Sequence, residues 1–386
     1  MPPVSEVATP LAAPATGAGL RVAIVSDAAP ERNGVGAYYR DLAEHLKAAG
    51  ARVDLISPRF RAGNWYGGLA MPLPGDPTQR FLFPSLSLVS RRMERLAPTA
   101  VIIPTPGLFG MLGMYLAKRY GARLLVGFHT HFERLTELND HSPLFGAMCR
   151  SYLGACNRRL FDASDLVLAN STEMLEIARA IGARHADLMG TSVPKRFLDA
   201  PPLPLRPRVE RVLFAGRLAP EKNLGAVVEA ASACPDLQFQ IVGDGPLRDW
   251  VQAQADRLPN LTYQGWVRRN QIMPLIDRMD VLVLPSTVES FGTIALEAMA
   301  RARLVIVSAR CGILSWEELS RGLFPMREDE PLAAALGRVA ALDPGLRQRK
   351  AELARAAAID INTRNLAYWL RVLRAGDPGG LDGAPG

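Results

Sequence analysis

Residues 281–300, VLVLPSTVESFGTIALEAMA, read as strand, loop and helix in immediate succession. Val281–Leu284 is wholly apolar, as a strand buried on both faces of a parallel sheet must be. Pro285 and the polar run Ser286–Ser290 end it, and a helix is expected from about Phe291 with Ser290 as its N-cap. Helical side chains lean toward the N-terminus, so Glu297, on the second turn, is expected to point back toward the loop that carries Glu289. Between the two carboxylates lie the amides of Phe291, Gly292 and Thr293, which lack helical partners and suit an anion. The expected result is an acidic rim for sugar hydroxyls around a phosphate seat. The plainer alternative is two glutamates on a solvated helix.

A second stretch has the same form. Residues 212–229, VLFAGRLAPEKNLGAVVE, give a buried strand, then Gly216, then Arg217 and Lys222 flanking a turn that opens into a helix. Two cations at a strand's C-terminal end can neutralise a diphosphate without a metal. Residues 239–250, FQIVGDGPLRDW, repeat the pattern with Gly243 at the strand's end.

In order and spacing, GRLAPEKN, GDGP and ESFGTIALEAMA resemble the C-terminal half of the retaining glycosyltransferases of family 4. The likeness is strong over about 200–310 and looser before it. It implies the GT-B fold, in which two Rossmann-like, doubly wound α/β domains face each other across a cleft. It also implies a metal-independent hexosyltransferase that moves a sugar from a nucleotide-diphosphate-sugar donor to an acceptor hydroxyl, with no cofactor. On this resemblance Arg217 and Lys222 hold the diphosphate and offset charge on the leaving group. Gly216, Gly243 and the Ser290–Thr293 amides border the donor, Glu289 holds sugar hydroxyls, Glu297 the ribose and His129 the sugar's other edge. No protein base is evident, and in this family the leaving phosphate is thought to take the acceptor proton. The chain has no Asp-x-Asp.

Outward from these motifs, strand and helix patterns alternate along the chain, as parallel sheets covered by helices require. Strands are expected near 21–26, 52–56, 100–103, 123–127 and 165–169, with helices near 35–49, 85–96, 107–120, 143–162 and 172–182. Residues 201–207, PPLPLRP, cannot sustain a helix or central strand and read as a linker. Strands then follow near 212–215, 238–242, 261–264, 281–284 and 304–307. The expected organisation is a disordered tail over 1–19, an acceptor-side domain over 20–200, the linker, and a nucleotide-sugar domain over 208–345. A helix is expected over 346–375, which the resemblance implies crosses back to the first domain, and 376–386 is expected to be a second tail.

At 386 residues the chain suits two α/β domains better than one core. No apolar run approaches the ~20 residues of a membrane span. The Pro- and Ala-rich start lacks the basic and apolar regions of a signal peptide. Four cysteines without a CxxC pair point to a reduced, cytoplasmic setting. A net charge of +7, carried mostly by arginine, suits phosphorylated substrates or an anionic membrane face. Its scatter along the chain excludes nucleic acid as the expected partner.

Other residues admit two readings. Gly34 and Gly36 follow the first strand and open the first helix, where amides can approach a phosphate. A dinucleotide-binding fingerprint wants a third glycine where Tyr39 stands, and Asp54 lies inside its strand rather than at its end. The resemblance instead puts the glycine turn on the cleft wall. His129 and His131 share a face of an extended segment, with Glu133, Asp140 and His141 following, a pattern that fits a metal. By resemblance His129 faces the donor sugar. Residues 80–96, RFLFPSLSLVSRRMERL, either dock on an anionic membrane through Arg80, Arg91, Arg92 and Arg95 or pack as an ordinary strand and helix. Trp65 and Tyr66 suit sugar stacking or membrane contact.

One departure stands out. The family continues after its second glutamate with a glycine and a proline, whereas this chain has Arg301-Ala302-Arg303-Leu304. That loop normally borders the nucleotide. Two functions are therefore carried forward: a glycosyltransferase acting on a lipid or glycan acceptor, and a non-catalytic nucleotide-sugar-binding protein of the same fold.

Overall fold

The computed structural model describes residues 16–31, 34–61, 64–66, 68–73, 76–129, 143–289 and 291–374. Its strands are β1 (Arg21–Val25), β2 (Arg52–Ile56), β3 (Arg59–Arg61), β4 (Asn64–Tyr66), β5 (Gly68–Leu73), β6 (Asp76–Pro84), β7 (Ala100–Ile103), β8 (Arg123–Phe128), β9 (Leu166–Ala169) and β10 (Ala186–Leu188) in the first half. The second half holds β11 (Arg211–Ala215), β12 (Gln238–Val242), β13 (Leu261–Tyr263), β14 (Val281–Leu284), β15 (Leu304–Val307) and β16 (Phe324–Pro325). Helices α1 (Gly34–Ala48), α2 (Leu86–Leu96), α3 (Leu108–Arg119), α4 (Pro143–Ala163), α5 (Thr172–Ile181) and α6 (Lys195–Asp199) belong to the first half. The rest are α7 (Leu224–Ala233), α8 (Arg248–Arg257), α9 (Arg269–Asp277), α10 (Thr293–Ala300), α11 (Glu317–Ser320), α12 (Leu332–Ala340) and α13 (Pro344–Arg374).

Two six-stranded sheets result, in the orders β10-β9-β8-β7-β1-β2 and β13-β12-β11-β14-β15-β16, and every pairing in them is parallel. Central strands such as AVII in β7 and VLVL in β14 are buried at every position, because helices cover both faces. In each sheet the chain steps outward from its first strand, then returns to that strand's other side. The reversal lies between β1 and β7 in one sheet and between β11 and β14 in the other. At such points ligands bind beyond the strands' C-terminal ends.

Residues 59–84 depart from the sequence reading. The described residues among them form two antiparallel strand pairs, β3–β4 and β5–β6, where no strand was expected before residue 80. Residues 16–19, read as tail, lie along the end of α1, with Gly17 N donating to Ala49 O. Residues 1–15 and 376–386 fall outside the described set.

Helix α13 ties the two halves together. Ala351, Ala354 and Ala358 pack into the second core, while Trp369, Leu370 and Leu373 enter the first. The fully buried Trp369 donates through Nε1 to the Tyr38 hydroxyl at 3.0 Å. A tryptophan buries ~150–250 Å², worth roughly 4–6 kcal/mol of apolar transfer, so this helix end is a firm anchor. Asn362 Oδ1 accepts from Val193 N at 3.0 Å and Tyr368 donates to Asp187 at 2.6 Å, adding polar ties beside it.

Candidate active site

The reversal point of the second sheet gathers the motifs read from sequence. Asn223 adopts the left-handed conformation (φ 51°), closing the short turn Pro220–Lys222 and starting α7. Asparagine tolerates that conformation better than most residues. Its Nδ2 donates to Pro285 O at 3.2 Å, and Thr287 N donates to Glu221 O at 2.9 Å, so the loops after β11 and β14 are pinned to each other. Lys222 Nζ donates to Glu289 Oε2 at 2.7 Å, both side chains mostly buried. Arg217 stands beside them, its guanidinium 3.6 Å from Glu221. Two cations, each with its own carboxylate, thus stand on the loops that follow β11 and β14.

The helix after Glu289 starts later than its sequence suggests. Gly292, at φ 88°, is the N-cap, and α10 begins at Thr293 rather than near Phe291. A positive φ turns the chain before the first helical residue and is not visible in a hydropathy pattern. Phe291 is buried against Trp316, and its carbonyl accepts from Cys311 Sγ at 3.4 Å. The first helical amides are those of Thr293 and Ile294. Ser290 lies outside the described residues.

Gly216 and Gly243 act through close approach, not as amide donors to a ligand. Gly216 N donates to Val242 O at 3.0 Å and Gly243 N to Gly265 O at 2.9 Å, so both amides are committed. Gly243 has φ 148°, and a Cβ there would lie 1.8 Å from Gly216 O. These two loops touch backbone to backbone.

Glu297 has a different partner from Glu289. It is 2% exposed, and its Oε1 accepts from Arg269, the first residue of α9, at 2.5 Å. The same guanidinium nitrogen lies 2.8 Å from Oδ2 of Asp41, which comes from α1 of the other domain. Burial raises the Glu297 carboxyl above the ordinary glutamate range, and Arg269 opposes that rise. For Arg269, burial works against the charge, yet Glu297 and Asp41 hold it more firmly protonated than usual. Each motif carboxylate therefore has its own cation.

On the first sheet His129 follows β8 and lies against α1. Its Nε2 is 2.9 Å from the Tyr39 hydroxyl, and Tyr38 and Tyr39 meet the ring edge-on. Desolvation pushes its pKa down to about 3, so the ring is neutral near pH 7. Gly36 is needed for packing, since a Cβ there would lie 2.8 Å from Ala28 O, while Gly34 has open space around it. His131, Glu133, Asp140 and His141 lie outside the described residues. Among the described residues no group of three or more His, Cys, Asp or Glu is placed to hold a metal.

The dinucleotide alternative finds no support at Asp54. That side chain is held by Arg92 through Nε at 2.9 Å and through NH2, stapling α2 to β2. Arg92 is thereby removed from the basic edge proposed for membranes, and Arg91 and Arg95 remain on it.

The first sheet's reversal point holds a residue the sequence reading passed over. Asp27, after β1, accepts from Phe109 N at 2.8 Å, Gly110 N at 3.2 Å and Thr105 Oγ1 at 3.0 Å. It caps α3, and burial still lifts its pKa to about 6. Asp41 and Arg269 were also missed. Asp41 stands among Tyr38, Leu42 and His45 on the buried face of α1, and a charge at such a position is the signal that could have flagged it.

The unusual loop after α10 has a clear structural use. Arg301, 1% exposed, grips Asp277 with two nitrogens at 2.7 and 2.9 Å and donates to the carbonyls of Phe197, Ala200 and Pro201. Arg303 donates to the carbonyls of Arg301, Met279 and Leu203. The arginines clamp the segment between the sheets and point away from the β11–β14 crevice. Ala302, at φ 51°, occupies the left-handed turn that a glycine would take. The departure that motivated a non-catalytic reading is thus a packing solution.

Two Rossmann-like domains, with paired cations and a carboxylate at the reversal point of the second, define a GT-B glycosyltransferase. The model of glycosyl transferases group 1 matches residues 209–341, and that of glycosyltransferase family 4 matches 32–189. A GDP-mannose-dependent alpha-mannosyltransferase of Mycobacterium tuberculosis is 28% identical over 316 residues, 75% of this chain and 79% of that protein. In fold, the chain is similar to sucrose-phosphate synthase from Thermosynechococcus elongatus, with TM-score 0.69 and 20% identity over 92% of this chain and 98% of that one. It is also similar to Anabaena Alr3699/HepE in complex with UDP and glucose, with TM-score 0.61 and 17% identity over 89% and 98%. The chain belongs to glycosyltransferase family 4. It transfers a sugar from a nucleotide-diphosphate-sugar donor to an acceptor.

Proposed function

We propose that the transfer retains the donor's anomeric configuration, needs no metal, and delivers the sugar to a hydroxyl of a lipid at an anionic membrane surface. The observation that carries the donor half is the Lys222–Glu289 pair at the β11–β14 reversal point. When the donor enters, Lys222 and Arg217 turn to the diphosphate and stabilise the charge that builds on it as the glycosidic bond breaks. Glu289, beside Lys222, accepts from sugar hydroxyls. Glu297 takes the ribose, and neutral His129 lines the sugar's other edge. The departing phosphate oxygen takes the acceptor proton on the face it has just left.

The acceptor half is supported by α2 and the strand before it. Leu86 is 65% exposed, and Leu88 and Phe83 are also exposed, next to Arg91 and Arg95. Apolar side chains beside cations suit a bilayer's anionic face. Among the described residues no helix is long and apolar enough to cross a membrane, so contact of this kind would be peripheral.

Proton NMR of the product tests the first half. With a donor and an acceptor that turn over, an α-linked donor must give an α-linked product, and inversion would remove the same-face step. Thermal shifts against UDP, GDP and ADP identify the donor's base, because a ligand at a hundred times its Kd adds ~2.7 kcal/mol.

A further inference from the structure

Glu297 has one oxygen engaged and one not. Arg269 takes Oε1, while Glu297 Oε2 is buried and has no protein partner, as is Arg269 Nε. Buried polar atoms without partners are costly, and at a ligand site they mark where the ligand's own groups go. Arg269 is itself held twice more: its carbonyl accepts from Arg196 NH2 at 2.7 Å, and its guanidinium reaches Asp41, which is 3% exposed. Asp41 and Arg269 are 228 residues apart and belong to different domains.

We propose that Arg269 is a positioning residue for ribose recognition, and that Asp41 ties that recognition to the joining of the two domains. The inference rests on the ribose role given above to Glu297. Arg269 orients the carboxylate by occupying Oε1, and its charge favours the ionised form against burial. Oε2 is then presented as an acceptor for a ribose hydroxyl, which an ionised carboxylate binds more strongly than a neutral one. Asp41 shares the same guanidinium nitrogen, so the carboxylate is fully set only while α1 of the first domain meets α9 and α10 of the second. A nucleotide that binds Oε2 favours the arrangement in which the domains are together, by linkage.

The experiment compares UDP or GDP, whichever the wild type binds more tightly, with its 2′,3′-dideoxy analogue by titration calorimetry. The wild type should prefer the ribonucleotide by about tenfold or more, the worth of a charge-assisted hydrogen bond. Arg269→Gln should bring that ratio close to one while both ligands still bind through the diphosphate. Arg269→Lys should restore part of it, an effect that mere structural support would not produce. Asp41→Asn, which leaves Arg269 in place, should lower the ratio to an intermediate value. A wild-type ratio in Arg269→Gln, together with its loss in Glu297→Gln, overturns the positioning role and leaves the ribose role of Glu297 standing. A wild-type ratio in Glu297→Gln overturns the ribose role itself. A wild-type ratio in Asp41→Asn removes the tie between domains.

Discussion

Lys222 Nζ lies 2.7 Å from Glu289 Oε2, so the cation expected to hold the diphosphate and the carboxylate expected to hold the sugar are partners before any donor arrives. Each orients the other, and removing either leaves a mostly buried charge without its partner.

The pair should therefore behave as a unit. Lys222→Ala should weaken nucleoside diphosphate binding and depress turnover further, by ~2 kcal/mol or more, because leaving-group charge peaks in the transition state. Glu289→Gln should cut turnover roughly ten- to a hundredfold with a smaller effect on nucleotide affinity. The double variant should fall short of the summed losses by ~0.5–3 kcal/mol, as contacting residues do. Steady-state kinetics and calorimetry on the three variants check this. Strict additivity would show that the pair separates before it acts.

His129 should not titrate near neutrality. Its folded pKa of about 3 lies below the unfolded value of about 6.5, so the unfolded chain binds the extra proton first. Stability from this residue is present above pH 6.5 and declines as pH falls toward 3. The ring carbon and nitrogen NMR shifts of His129 should stay constant from pH 5 to 8. His129→Gln should flatten the acid limb of a stability–pH curve, and an imidazole titrating near pH 6 would place the ring in water.

Much of this was legible in the chain. The apolar runs 212–215 of β11 and 281–284 of β14, each followed by a polar turn, fixed where the cations and Glu289 would stand, because buried parallel strands admit few other patterns. Three things were not legible. The start of α10 depends on one dihedral, the positive φ of Gly292, which a residue name permits without requiring. The strand pairs within residues 59–84 are punctuated in sequence by glycine and proline and read locally as loop. The partner of Glu297 is set by packing between domains, and no local window contains Asp41, Arg269 and Glu297 together.

The loop after α10 gives a stability prediction with two signs. Ala302 sits at φ 51°, where an L side chain costs roughly 1–2 kcal/mol, so Ala302→Gly should raise the melting temperature after its own entropy loss of ~0.5–1 kcal/mol. Arg301→Ala removes the partner of Asp277 and should destabilise by ~3 kcal/mol or more. Calorimetric scans measure both. Nucleotide affinity of folded Arg301→Ala should match the wild type, since the side chain faces the linker, and a marked loss would return this loop to the donor site.

Membrane contact can be isolated to a few side chains. Arg92 is unsuitable as a probe because it holds Asp54, and reversing its charge would disturb α2 and β2 rather than a surface. Among the described residues Arg91 and Arg95 make only weak local bonds to Ser87 O and Arg91 O, at 3.3 and 3.4 Å, and can be reversed with the fold kept. The protein should sediment with phosphatidylglycerol vesicles at low salt and be released as salt rises, since the screening length shrinks from ~10 Å at 0.1 M to ~3 Å at 1 M. Each lysine or arginine near such a surface contributes ~1 kcal/mol, so reversing both Arg91 and Arg95 should weaken binding by about thirtyfold or more. Leu86→Asp should weaken what remains at high salt, where apolar insertion is the surviving force. Circular dichroism confirms that the variants keep their fold. If the wild type stays in the supernatant at low salt, with and without donor, the acceptor is a soluble molecule and the exposed face of α2 has another use.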